Sequence, residues 1–295
     1  MLDLSHIPSQ QQNTTILYAQ SGSWQTWNKP RNAKMIEIFC LGGGAGGGQH
    51  TVSTGPSFAG GGGASGGIVR GLIPAFLLPD TIYILVGKGG AGPSTSATAG
   101  SVGNISYVAL QPTTSEQTLI CKSSTTTPGG GGAASGGGGA PTISVVSLSA
   151  FGNLGLFTAI AGVAGTAGAL STTGNGTNQA ALGTNIVTGG CGGGGKGSAG
   201  LFGQGGSITS ASAILTTPVL GGLVDGAEGS SGYGTLQPFC GTGGAGGAGR
   251  SGTTGQGGRG GDGWYGCGGG GTGGGSVVTK AGDGGDGLVI ITVIT

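Results

Sequence analysis

Lys34-Met35-Ile36-Glu37-Ile38-Phe39-Cys40-Leu41 runs straight into Gly42-Gly43-Gly44-Ala45-Gly46-Gly47-Gly48. A short, partly β-branched apolar run stopped by glycine reads as a strand. The step recurs. Thr81 to Val86 (TIYILV) precedes GKGGAG, and Gly287 to Ile294 (GLVIITVI) closes a glycine run. Asn104 to Leu110 and Gln117 to Cys121 are expected as further strands, and Trp24 to Pro30 as a turn-like segment. Helix is disfavoured throughout, because glycine costs about 1 kcal/mol relative to alanine at each helical position. Ile143 to Leu170 has the most helical composition, and its glycines and threonines weigh against helix there too.

Between the strands lie glycine runs near 42–48, 60–67, 87–92, 129–139, 189–197, 241–249, 255–263, 266–275 and 282–287. Their spacing has no fixed period, so solenoid signatures do not apply. Gly supplies 79 of 295 residues, which would suggest disorder, because ordering glycine costs the most backbone entropy. Disorder, however, goes with high charge and few aliphatic residues. Here charged residues are 6%, and the mean hydropathy is +0.20. The chain has apolar surface to bury, so an ordered fold is expected. Collagen is excluded, since it needs glycine at every third residue and abundant proline.

A net charge of +1 without a basic cluster argues against nucleic acid and against a membrane surface as partners. The opening MLDLSHIPSQQQNTT has neither the basic start nor the apolar core of a signal peptide, and no apolar stretch reaches membrane-spanning length. Cys40, Cys121, Cys191, Cys240 and Cys267 are odd in number and widely spaced, so neither a disulfide framework nor a zinc site is expected. They read as small buried apolar residues.

Glycine runs can build a scaffold through polyproline II geometry, with three residues per turn and no internal hydrogen bonds. Backbone N–H and C=O groups then project sideways and need partners. Chains without side chains approach closely enough to supply them. The expected fold is therefore all-β, with short strands combined with packed polyglycine II helices and little or no α-helix. Residues 1–22 are expected as a lead or attachment segment and 23–295 as the glycine-rich domain, with a possible insert at 141–188.

Four segments carry a resemblance: Trp24…Trp27-Asn28-Lys29-Pro30 leading into Met35–Gly44; Gly60–Gly67; Pro79–Gly90, with its strand-then-VGKGG step; and Gly284–Thr292. Their order resembles a glycine-rich domain common in bacteriophage tail and structural proteins, and is similar to adhesins at the tips of long tail fibres. The resemblance implies a small β-sandwich-like sheet combined with packed polyglycine II helices, in a virion protein made in the host cytoplasm. Its expected partners are other virion proteins and a bacterial surface receptor, protein or glycan, with homo-oligomerisation left open. A structural role in capsid decoration or in a fibre remains the alternative.

Catalytic chemistry is not expected, nor is a cofactor or metal. Gly190-Cys191-Gly192-Gly193-Gly194-Gly195-Lys196-Gly197 approaches a phosphate-binding loop, but Gly197 stands where Ser or Thr would hold magnesium. Asp225, Glu228, Asp262, Asp283 and Asp286 are scattered without the spacing of a calcium loop. Trp24 and Trp27 read as structural. Aromatic residues in connectors on a rigid scaffold are the usual anchors of recognition. Tyr233, Phe239, Trp264 and Tyr265 are therefore candidate receptor contacts, joined by His50 and Phe58 in the connector QHTVSTGPSF. A receptor-binding role predicts that connectors 49–58, 229–240 and 263–266 share one end of the fold.

Overall fold

The computed structural model describes residues 13–55, 57–133, 136–142, 155–171, 173–179, 186–198, 200–209 and 215–295. Within them the protein is all-β, with eleven strands in three antiparallel sheets. No α-helix occurs among the described residues; Ala75–Leu77 and Glu116–Thr118 form single 3-10 turns.

Five strands form the larger sheet: β1 (Thr14–Tyr18), β3 (Met35–Leu41), β4 (Ile68–Pro74), β8 (Leu156–Ile160) and β11 (Leu288–Ile294), ordered β1-β11-β3-β4-β8. A four-stranded sheet, β2-β5-β6-β7, comprises β2 (Trp24–Asn28), β5 (Thr81–Leu85), β6 (Tyr107–Ala109) and β7 (Leu119–Lys122). The third is a hairpin of β9 (Gly234–Leu236) and β10 (Phe239–Gly241).

Strand alternation fixes which residues make the core. One face of the large sheet carries the cross-strand rows Val289–Cys40–Val69, Ile291–Ile38–Gly71 and Val293–Ile36–Ile73. Those side chains meet Trp27, Ile82, Ile84, Val86, Val108, Ile120 and Cys121 of the smaller sheet and its borders, forming a two-layer sandwich. Each fully buried aliphatic side chain contributes about 1.5–3 kcal/mol, so this cluster is the main apolar source of stability. Gly71 sits mid-strand because the Phe157 ring lies over it, with Cε1 at 2.5 Å from where a Cβ would be. Gly71→Ala is expected to displace that ring and cost about 1–3 kcal/mol in chemical unfolding, as overpacking does.

The structure departs from the sequence expectation at two strands. Trp24–Asn28 is a strand paired with β5 rather than a turn, and it buries Trp27. β4 was not anticipated, because it follows a glycine run directly and contains Gly71. Of the stretch considered for helix, 143–154 lies outside the described residues, while Leu156–Ile160 is strand β8 and 161–169 bonds sideways to glycine runs. The described part of the expected lead segment adds β1 to the sheet edge.

The glycine runs extend from the sandwich and hold one another through main-chain bonds. Along 42–49 the N–H groups address three neighbours in rotation. Gly42, Ala45 and Gly48 donate to Gly67, Ala64 and Gly61; Gly43, Gly46 and Gln49 donate to Asn104, Ser101 and Thr98; Gly44 and Gly47 donate to Gly285 and Gly282. All eight bonds are 2.7–3.0 Å. The bonding direction thus repeats every three residues, and the lateral bonds meet the requirement that buried backbone polar groups find partners. Where the sandwich meets this region, the buried Ser106 hydroxyl donates to Leu41 O (2.6 Å) and accepts from Gly87 N–H (2.9 Å).

All five cysteines are free and buried, as the sequence suggested. Burial pushes Cys191 and Cys267 up to about 12, which leaves them as unreactive thiols at neutral pH. A thiol reagent such as Ellman's is expected to find no fast-reacting group in the native protein and five on unfolding.

Candidate functional site

Successive runs lead away from the sandwich and back again, so connectors fall alternately at the sandwich end and at a distal end. The bonds from Gly43, Gly46 and Gln49 march outward and place 49–55 and 57–59 distally. Ala59 N–H to Ala169 O, Lys196 N–H to Ser57 O, Ser53 N–H to Gly275 O and Arg250 N–H to Gly274 O bring the neighbouring connectors to the same end. There Phe58, Leu170, Leu201, Leu223, Val224 and Val277 are exposed, Leu170 to 75% and Val224 to 66%.

His50 lies at this end but is buried. Its N–H and its Nδ1 both meet Thr272 Oγ1, at 2.9 and 3.1 Å, and the Gln49 side-chain amide reaches Nδ1 at 3.3 Å. Burial lowers its pKa to about 4; the Gly275 carbonyl opposes this and the Lys196 charge adds to it. Lys196 is also fully buried and donates to Ser53 O (2.6 Å), tying connector 49–58 to the run ending at Gly197. The near match to a phosphate-binding loop is therefore a glycine run carrying a structural lysine.

The other four candidates lie at the sandwich end. The second face of the large sheet presents the rows Thr15–Thr292–Glu37–Leu72–Leu156, Leu17–Ile290–Phe39–Arg70–Thr158 and Leu288–Leu41–Ile68–Ile160. Phe239, Trp264 and Tyr265 cover part of it in a second apolar cluster with Leu41, Ile68 and Cys267. Ring centroids run in a chain: Phe39–Phe239 at 5.0 Å, Phe239–Trp264 at 5.3 Å and Trp264–Tyr265 at 5.1 Å. Tyr233 stands apart, with its hydroxyl on the main chain of Thr217 and its ring against Cys191, Val219 and Ala245. The six candidates thus divide between two ends, Phe58 and His50 against Tyr233, Phe239, Trp264 and Tyr265.

Beside the aromatic chain a groove of about 730 Å³ remains open. Its floor is the sheet, through Thr15, Leu17, Glu37, Phe39, Arg70, Ile290 and Thr292, and its wall is the hairpin segment Leu236-Gln237-Pro238-Phe239. The Arg70 guanidinium lies over the Phe39 ring, 5.3 Å from its centroid, a cation–π geometry. Apart from Phe239, no groove residue stood out in the sequence. The alternation of Glu37 and Phe39 with the core-facing Ile36 and Ile38 was the available signal.

The acidic residues serve the backbone. Asp286 accepts from Gly89 N–H (2.7 Å) and Asp283 from Gly92 N–H (2.8 Å). Asp225 accepts from both the N–H and the hydroxyl of Ser251 at 2.6 Å. Burial raises its pKa, but those bonds and Arg250 outweigh it and hold the carboxyl low. Among the described residues no group of three or more His, Cys, Asp or Glu side chains is placed to hold a metal ion. No helix there is long and apolar enough to cross a membrane.

A β-sandwich continued by cross-bonded glycine runs defines a glycine-rich β-domain. Residues 19–293 match the family described as "Glycine-rich domain", and the chain belongs to that family. No curated protein matches the chain.

Proposed function

We propose that this is a non-enzymatic bacteriophage virion protein, an adhesin that presents its distal connectors to a receptor on the bacterial surface. We read its glycine runs as polyglycine II helices, which the three-residue rotation of bonding partners supports. The observation that carries the functional reading is the distal set Phe58, Leu170, Leu201, Leu223, Val224 and Val277. These large apolar side chains are exposed on connectors whose flanking backbone is held from several sides. Apolar anchors on a rigid base bind with little ordering cost, and exposed apolar patches mark interaction sites.

The test is a virion carrying Leu201→Asp and Val224→Asp, both at exposed positions. Particles that assemble normally but lose adsorption to cells support the adhesin. Particles that fail to assemble, or that adsorb normally, overturn it, and failed assembly favours the structural role in a capsid or fibre.

A further inference from the structure

The distal connectors leave the groove at the sandwich end unexplained. We propose that this groove is a second binding site, for an uncharged saccharide of a few rings. Three features of the lining select that chemistry.

First, the charges balance. Glu37 and Arg70 are the charged side chains of the lining, one of each sign, so the groove attracts neither an anion nor a cation as a whole. Second, donors and acceptors alternate. The Arg70 guanidinium only donates, the Glu37 carboxylate only accepts, the Gln237 amide does both, and the Thr15 and Thr292 hydroxyls, bonded to each other at 3.2 Å, keep further donor and acceptor capacity. Sugar hydroxyls, which also do both, can satisfy such a set; an aliphatic ligand would leave it unpaired at a cost. Third, the polar groups are interleaved with apolar faces. Leu17, Ile290 and Phe39 form a strip along one cross-strand row, and Pro238 and Phe239 face it from the hairpin. A pyranose has apolar C–H faces and a polar rim, the same combination.

The site is also braced. Phe239 is held between Phe39 and Trp264, and the Arg70 guanidinium is held over Phe39. Its volume falls within the roughly 300–1,000 Å³ of small-molecule sites, enough for a short oligosaccharide.

The experiment uses the full chain with three neutral probes, maltotriose, cellotriose and N,N′,N″-triacetylchitotriose, read by saturation-transfer NMR and titration calorimetry. Saturable binding of at least one probe is expected. Arg70→Ala and Gln237→Ala should each weaken it at least tenfold, about 1.4 kcal/mol, at unchanged melting temperature. Val224→Asp, at the distal end, should leave it unaltered, which separates this site from the proposed receptor surface. Three results would overturn the proposal: no transfer to any probe at 10 mM, binding indifferent to Arg70→Ala and Gln237→Ala, or sedimentation showing a dimer that closes the groove with a second copy.

Discussion

Gly47→Ala is expected to lower the melting temperature by on the order of 10 °C or more, while Gly139→Ala leaves it almost unchanged. A methyl group at Gly47 would collide with the carbonyl of Gly270 and come within 2.9 Å of Gly271 N. Those atoms are backbone, so no rotamer can yield. The 42–48 run would have to move away from the 266–275 run, which accepts and donates lateral bonds of its own: Gly269 donates to Ala45 and Thr272 to Gly48. Losing several such bonds together puts the cost above about 4 kcal/mol, in the range reserved for disrupted cores. Nothing lies within 4 Å of the same methyl at Gly139. There the smaller freedom of the unfolded chain would offset any loss, within about 1 kcal/mol. Urea unfolding of both variants decides the matter: equal midpoints would mean that close backbone approach does not sustain the glycine region.

Acid is expected to weaken the protein through His50. Its folded pKa of about 4 lies below the ordinary 6.5, so the native state disfavours the imidazolium. Above pH 6.5 the ring is neutral in both states and costs nothing. As pH falls from 6.5 towards 4 the unfolded chain takes up the proton and the folded one does not, and stability drops by about 3 kcal/mol. Below pH 4 the penalty is constant. Chemical unfolding at pH 7 and pH 4 should reveal this loss, and His50→Gln should remove most of it; Asp225, whose carboxyl is held below its ordinary range, loses its contribution only at lower pH and lies outside this comparison. An unchanged pH slope in His50→Gln would mean that the ring is not held neutral by its burial.

The fold was legible where strand and glycine adjoin. KMIEIFCL, TIYILV and GLVIITVI are strands because an apolar run too short for a helix is cut off by residues that propagate neither state well. β2 was obscured because Trp24-Gln25-Thr26-Trp27-Asn28 leads into Lys29-Pro30, a turn signature at the end of a real strand. β4 was hidden by Gly71, whose reason is a ring from another strand. Sheet order had no local signal, because nothing in Leu288–Ile294 says that it lies between β1 and β3. The candidate residues divided between two ends for a related reason. Each run reverses direction, so a connector's end depends on the number of runs before it, and runs interrupted by Ala, Ser or Thr make that number ambiguous. The exposed aliphatic residues of the distal connectors carry no signal in the sequence, because Leu and Val are also the residues of the buried strands.

The place of β11 between β1 and β3 has a consequence for how the protein is made. β3 leaves the ribosome before β11, and the strand that completes its pairing lies beyond every intervening glycine run. Until residues 288–294 are free, the nascent chain carries apolar strands with an open edge. Pairings this distant in sequence form slowly, and such intermediates are prone to association. A chaperone that shields the early strands is therefore expected to raise the yield of soluble protein.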